Sequence, residues 1–402
     1  MNFYLKVKCY RAYMKAMKIA AAVIPMPKPT LFLGHDSSLE LCQAIAHIGK
    51  RRVLVVTDSM LTQLGLLDDI LQTLTTHGVE YFLFDGVLPD PNYDQVEVGL
   101  SIYQRHDCDS ILAIGGGSPI DAAKVIAVRV TNRKSIGKLA GLFKVWRTPA
   151  PLFAIPTTAG TGSEVTVAAV VSEPNTGQKT PLIDPKLVPM MAALDAKLMV
   201  GLPAHVTAAT GMDALTHAIE AYISRNASVE TDGYAKAAIT LIMQNLEQAV
   251  AKGSDLQARH NMALASYYAG LAFTKASLGY VHAISHNIGA RYKTPHGLAN
   301  AIVLPHVLEF SKTAAQARLA DIARLANIVD HDGSEEQLVE ALIEHIRAMM
   351  IRMALPNKLD SLQRQDIPEL AQAALKEAHW NYPVPKYMDQ VGCEKLIAQL
   401  VS

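Results

Sequence analysis

The chain lacks several things that would define common protein classes. It has only four cysteines, Cys9, Cys42, Cys108 and Cys393, with no Cys-x-x-Cys pair among them. Neither a disulfide framework nor a thiolate zinc site is indicated, and a reducing cytoplasm is the expected compartment. Net charge is also missing: 37 basic side chains balance 37 acidic ones. A nucleic-acid binder normally carries a basic stripe to neutralise phosphates, so no nucleic-acid partner is expected. No apolar run reaches the roughly 18 residues needed to span a bilayer, so no transmembrane segment is expected. The first thirty residues contain no acidic side chain, only Lys6, Lys8, Arg11, Lys15, Lys18 and Lys28. Lys15 and Lys18 interrupt the short apolar stretch that ends at Ile24, and no clean small-x-small cleavage site precedes the run from Pro25 to Pro29. That argues against a secretion signal. The segment reads instead as an amphipathic helix docked on the body or on a partner subunit, with a membrane surface as the alternative. Internal repeats and low-complexity tracts are absent.

What is present is a chain of 402 residues, half of them apolar, which is too long for one core and implies two domains. Arg51–Asp58, Tyr81–Phe84, Ser110–Ile114 and Pro151–Ile155 read as buried strands, with helices expected between them at Tyr93–Arg105 and Ile120–Val130. Continuous apolar strands separated by helices predict a parallel, Rossmann-like α/β sheet covered on both faces. After Pro203 strand character stops. Ala235, Ala238, Ile239, Ile242, Met243, Leu246 and Ala249 recur at helical spacing, and Gly253 follows as a stop. The expected organisation is therefore a basic helical extension over 1–30, an α/β nucleotide-binding domain over 31–200 and an all-α C-terminal domain over 201–402.

Two segments suit a phosphate-bearing cofactor. Ile114-Gly115-Gly116-Gly117-Ser118-Pro119 leads from strand into helix. Glycines let backbone approach a pyrophosphate, Pro119 suits a helix start, and the helix N-terminus favours an anion. It is not the GxGxxG fingerprint, so a plain tight turn remains the competing reading. Pro156 to Thr166 is a second small-residue segment directly after a strand, as expected for a ligand at the carboxyl ends of a parallel sheet. Asp58, ending the first strand, suits either a ribose diol or a helix N-cap. As a ribose partner its carboxylate would repel the extra phosphate of NADP, which favours NAD.

The helical half holds a second set. Asp213 and His217 lie four apart, as do His282 and His286, and His296 precedes Gly297. Residues four apart share a helix face. A carboxylate with neutral imidazoles suits Fe(II) or Zn(II) better than Mg(II). Yet the chain has 14 histidines, so spacing alone leaves a structural origin open.

Taken together, Gly115–Asp121, Pro156–Glu164, Gly211–Glu220, Gly279–Ala290 and Pro295–Gly297 resemble the iron-containing (group III) alcohol dehydrogenases, in order and spacing, from about Leu31 onward. The resemblance implies metal ligation by Asp213, His217, His282 and His296, with His286 close to nicotinamide and substrate. It implies that the dinucleotide meets Asp58 at the ribose, Gly117 and Ser118 at the pyrophosphate, and Thr157, Thr158, Thr166, Lys179 and Leu198 elsewhere. One position departs: many relatives have Asn where this chain has Asp90, between Pro89 and Pro91. Asp90 is carried as a cofactor contact with that difference. The first thirty residues lie outside the shared pattern.

The implied activity is metal-dependent transfer of a hydride from a primary alcohol or diol to NAD, with NADP less favoured, giving an aldehyde. Fe(II) is the implied ion, with Zn(II) or Ni(II) able to occupy the same ligands. The ion would act as a Lewis acid on the alcohol oxygen and His286 would relay its proton. The partners implied are a small alcohol or aldehyde and a second copy of the chain in a homodimer. Glycerol dehydrogenase-like and dehydroquinate synthase-like enzymes of the same superfamily are the alternatives. Four candidate ligands rather than three weigh against the first, and no basic cluster for a phosphate-bearing acid weighs against the second.

Overall fold

Residues 3–22, 24–328 and 333–402 are described by a computed structural model; Met1, Asn2 and Val23 of the N-terminal extension lie outside the described residues. Two compact units result, one covering Pro25–Gly201 and the other Leu202–Ser402 together with the N-terminal helix.

The first unit is built on six parallel strands: β1 (Thr30–Leu33), β2 (Arg52–Val56), β3 (Glu80–Phe84), β4 (Ser110–Gly115), β6 (Leu152–Pro156) and β9 (Met191–Leu194), in the order β1-β9-β6-β4-β2-β3. Why these runs are apolar throughout follows from alternation. Leu54, Val56, Ile111, Ala113, Leu152 and Ala154 face one core, under the helices Tyr93–Arg105 and Gly117–Thr131. Their neighbours Val53, Val55, Leu112, Ile114, Phe153 and Ile155 face the other, under Ser37–His47 and Asp68–Thr76. Successive strand side chains point to opposite faces, so a sheet covered on both sides needs apolar residues at every position. From β2 the chain adds its next strand on one side and from β4 on the other, so the carboxyl ends of these two parallel strands form the topological switch point where such sheets bind ligands. A small second sheet, β5 (Gly141–Leu142), β8 (Lys179–Ile183) and β7 (Ala168–Ser172), completes the unit.

Helices alone make up the second unit among its described residues, apart from short turns and one isolated bridge between Leu359 and Val401. Its centre is the helix Ala204–Ile223, buried at every position from Gly211 to Ile223. Around it pack Val229–Ala251, Leu256–Ala276 and His296–Ser311. Local chemistry sets the boundaries. Ser228 and Thr231 form a reciprocal capping box, and Asp255 caps the next helix by accepting from the Ala258 N–H at 3.0 Å. Gly297 permits the closest approach: a Cβ there would stand 2.4 Å from the carbonyl oxygen of Ala209. That contact draws the start of the His296–Ser311 helix against the central one.

The N-terminal helix, Phe3–Ala22, lies on this unit. Phe3, Val7, Tyr10, Met14 and Met17 are its less exposed positions, a heptad-like seam. The Tyr10 ring meets those of His379, Trp380 and Tyr387 at centroid distances of 4.8, 4.7 and 5.6 Å. Lys18 Nζ donates to the carbonyls of Arg225 and Ala227. The apolar seam is thus occupied by the body of the protein, and Lys6, Lys8 and Lys15 are exposed. No helix among the described residues is long and apolar enough to cross a membrane.

Candidate active site

In the helical unit, Asp213 and His217 stand one turn apart on the central helix, while His282 comes from the helix Tyr280–Tyr292 and His296 opens the helix His296–Ser311. One ligand atom from each lies within 4.8 Å of all the others. Asp213 Oδ1 is 3.5 Å from His296 Nε2, 3.8 Å from His282 Nε2 and 4.0 Å from His217 Nδ1. Tetrahedral bonds of about 2.0–2.2 Å put ligand atoms roughly 3.3–3.6 Å apart, so these separations fit a divalent ion with slight contraction. Asp213, His217 and His282 are buried, and His296 is partly exposed.

The polar environment points the same way. Asn300 is fully buried, and its Nδ2 lies 2.6 Å from Asp213 Oδ1, 3.2 Å from His282 Nε2 and 3.1 Å from His296 Nε2. Its Oδ1 has no hydrogen-bond partner among the described residues. Three acceptor atoms converging on a single buried donor make a concentration of negative potential that suits a cation. Asn300 was not anticipated; its only sequence signal is the four-residue spacing from His296.

Glu220 supports the set from behind. It lies seven residues after Asp213, two turns along the same face, and is buried. Its carboxylate accepts from His282 Nδ1 at 2.6 Å and from the backbone N–H groups of Gly279 at 2.9 Å and Val281 at 2.7 Å. With the ring proton on Nδ1, His282 presents its Nε2 lone pair to the cluster. Burial pushes the Glu220 carboxyl up to about 8, against the opposing pull of the Val281 and Gly279 N–H groups. Burial, with the neighbouring histidines, holds His282 well below its ordinary value, which favours the neutral imidazole that metals bind. The His217 ring is wedged between Phe273 and His282, at centroid distances of 4.3 and 4.5 Å.

His286 lies one turn beyond His282 and stacks on His296 at 5.2 Å. Its Nδ1 is 2.7 Å from Glu377 Oε1, contributed by the helix Ile367–Asn381. Glu377, 91 residues away in sequence, carried no signal that could have revealed it.

In the α/β unit, Asp58 follows β2 and accepts from the backbone N–H groups of Met60 and Leu61, both at 3.1 Å, so it caps the short helix Ser59–Gln63. Gly115, with φ of +148°, turns the chain out of β4; a Cβ there would lie 2.6 Å from Pro119 Cγ. Gly117 and Ser118 then begin the helix Gly117–Thr131. Asp58 and this turn sit at the carboxyl ends of the adjacent strands β2 and β4. Thr157 and Thr158 follow β6; the Thr157 N–H donates to the Gly115 carbonyl at 3.0 Å, and Thr158 lies against Gly116. Thr166 is turned into the interior, where its hydroxyl and carbonyl oxygens accept from Lys124 Nζ at 3.0 and 2.9 Å. Lys179, opening β8, is ion-paired to Asp90, which has φ of +56°. Leu198 lies in the turn after β9, packed against the core.

A doubly wound sheet with a glycine turn at its switch point, joined in one chain to a helical unit bearing an Asp-His₃ cluster, defines a metal-dependent, nucleotide-linked oxidoreductase. The family model "Iron-containing alcohol dehydrogenase" matches residues 28–196, and "Fe-containing alcohol dehydrogenase family, C-terminal" matches residues 207–401. The chain belongs to the iron-containing alcohol dehydrogenase family. It is 42% identical over 344 residues to 1,3-propanediol dehydrogenase of Klebsiella pneumoniae, covering 85% of this chain and 88% of that one. A crystal structure of a 1,3-propanediol oxidoreductase superposes with a TM-score of 0.91 at 38% identity, over 94% of this chain and all of the other. Sulfoacetaldehyde reductase from Bifidobacterium kashiwanohense, solved in complex with NAD+, gives a TM-score of 0.85 at 27% identity, over 94% and 98% of the two chains.

Proposed function

We propose that the chain oxidises a small primary alcohol or diol to the aldehyde, transferring hydride to NAD, and catalyses the reverse reduction. The observation that carries this reading is the convergence of Asp213, His217, His282 and His296 within 4.8 Å on three different helices. When bound, Fe(II), or Zn(II) or Ni(II) in its place, supplies Lewis acidity toward an alcohol oxygen. The four side chains hold that ion, and Glu220 keeps the His282 ring aimed. His286, with its proton on Nδ1, offers Nε2 to the hydroxyl proton and passes it on as the carbinol carbon gives up hydride to the nicotinamide. Gly117 and Ser118 offer helix N–H groups to the pyrophosphate. One Asp58 oxygen caps a helix while the carboxylate as a whole favours a ribose diol over a 2′-phosphate, hence NAD over NADP. Thr157, Thr158, Lys179, Asp90 and Leu198 complete the cofactor contacts. Thr166 is read as a further cofactor contact, its hydroxyl and carbonyl oxygens also accepting from Lys124 Nζ.

Three of the four thiols are buried and burial pushes them up, Cys42 and Cys393 to about 12 and Cys108 to about 11, which leaves them inert in a reducing cytoplasm. The working form is read as a homodimer, checked by light scattering after gel filtration. The function itself is tested with chelator-stripped protein reloaded anaerobically with Fe(II) or Zn(II), given NAD and a panel of primary alcohols and diols. NADH formation that depends on the ion supports the reading. Tight NAD binding with no turnover on any alcohol would defeat it.

A further inference from the structure

We propose that Glu377 is a positioning residue for the alcohol chemistry, fixing the ring of His286 so that Nε2 is its proton acceptor. This rests on the reading of His286 as the proton relay. Three donors converge on the Glu377 carboxylate. His286 Nδ1 and the Tyr382 hydroxyl both meet Oε1 at 2.7 Å, and Asn287 Nδ2 meets Oε2 at 3.2 Å. Asn287 is itself tied down, donating through the same Nδ2 to the Ala283 carbonyl at 2.8 Å.

A carboxylate that accepts from a hydroxyl and an amide leaves only one role to the imidazole nitrogen beside it, that of donor. The ring proton is therefore on Nδ1, and the Nε2 lone pair is the one presented to substrate. Burial, reinforced by the neighbouring Glu377, holds the Tyr382 phenol well above its ordinary value, so it remains an O–H donor at neutral pH. The carboxylate is thus held from both sides, and with it the ring. His286 is about one third exposed, and the carboxylate behind it fixes which ring nitrogen carries the proton. A carboxylate behind a catalytic imidazole does this work in other enzymes, where its loss leaves geometry intact and lowers turnover.

The test uses the full-length, metal-loaded protein. Glu377→Ala should lower kcat about 10- to 100-fold, the usual cost of removing a carboxylate that orients a histidine, with metal content and the KM for NAD unchanged. Glu377→Gln keeps an acceptor oxygen for Nδ1–H and should recover part of that loss. Combined with His286→Ala, neither substitution should lower turnover further, because both act through one ring. Independently of activity, the zinc-loaded protein should show a downfield proton resonance from His286 Nδ1–H that disappears in His286→Ala and in Glu377→Ala. If Glu377→Ala does not fold, Glu377→Leu, which also removes the acceptor but keeps the volume, takes its place in the same comparison. Wild-type turnover in both Glu377 variants, or losses that multiply with that of His286→Ala, would overturn the proposal. Wild-type turnover in His286→Ala would instead remove the relay reading beneath it.

Discussion

At the scale of single residues, the side chains that hold others matter as much as those that would meet the ion. Glu220 satisfies His282 and the two N–H groups that begin the Tyr280–Tyr292 helix. In Glu220→Gln an amide N–H₂ must face one of those donors, leaving a buried group unpaired at a cost of about 1–3 kcal/mol. Metal affinity should fall about 10- to 100-fold, read by titration against a competing chelator. Unchanged affinity would show that His282 needs no such support. The four-residue spacing of Asp213 and His217 made that pair legible in sequence, because a helix face is a local property. Asn300 and Glu377 were not legible. Asn300 meets Asp213 and His282 on other helices and Glu377 meets His286 across 91 residues, and no local period records those contacts. Asp58 shows a different limit, since one carboxylate can serve both as N-cap and as ribose partner and the sequence favours neither.

At the scale of elements, the helix Tyr93–Arg105 follows from its apolar spacing and its Asn92–Gln95 capping box. The strands β2, β3, β4 and β6 follow from their apolar runs. The edge strand β1 and its neighbour β9, only four residues each, and the three strands of the second sheet gave too little pattern to be read. Close helix approach was equally silent, yet it builds the site. A methyl group at position 297 would collide with the backbone of Ala209, which has no flexible end to move aside. Gly297→Ala should therefore destabilise the helical unit by about 1–3 kcal/mol. It should also weaken metal binding, by shifting His296 away from Asp213. A melting temperature and metal affinity both equal to wild type would refute the packing argument.

For the molecule as a whole, stability should depend on pH through a buried charge cluster in the α/β unit. Burial pushes Glu164 from its ordinary 4.5 up to about 7, although Lys124 pulls it down, and burial lowers Lys124 to about 8. Between 4.5 and about 7 the folded protein retains a proton on Glu164 that the unfolded chain has lost. Its stabilising contribution is therefore complete below that window and lost as pH rises through it, by about 3 kcal/mol. Denaturant midpoints across this range should decline in the wild type and decline less in Glu164→Gln; parallel profiles would contradict the assignment.

The central claim is that Asp213, His217, His282 and His296 hold the ion on which alcohol oxidation depends. Metal content after anaerobic Fe(II) loading, measured alongside NAD reduction for wild type and His282→Ala, tests it most directly. The account predicts about one ion per chain and metal-dependent NADH formation in the wild type, with both lost in the folded variant. A His282→Ala protein that keeps its full complement of metal and its turnover would contradict it.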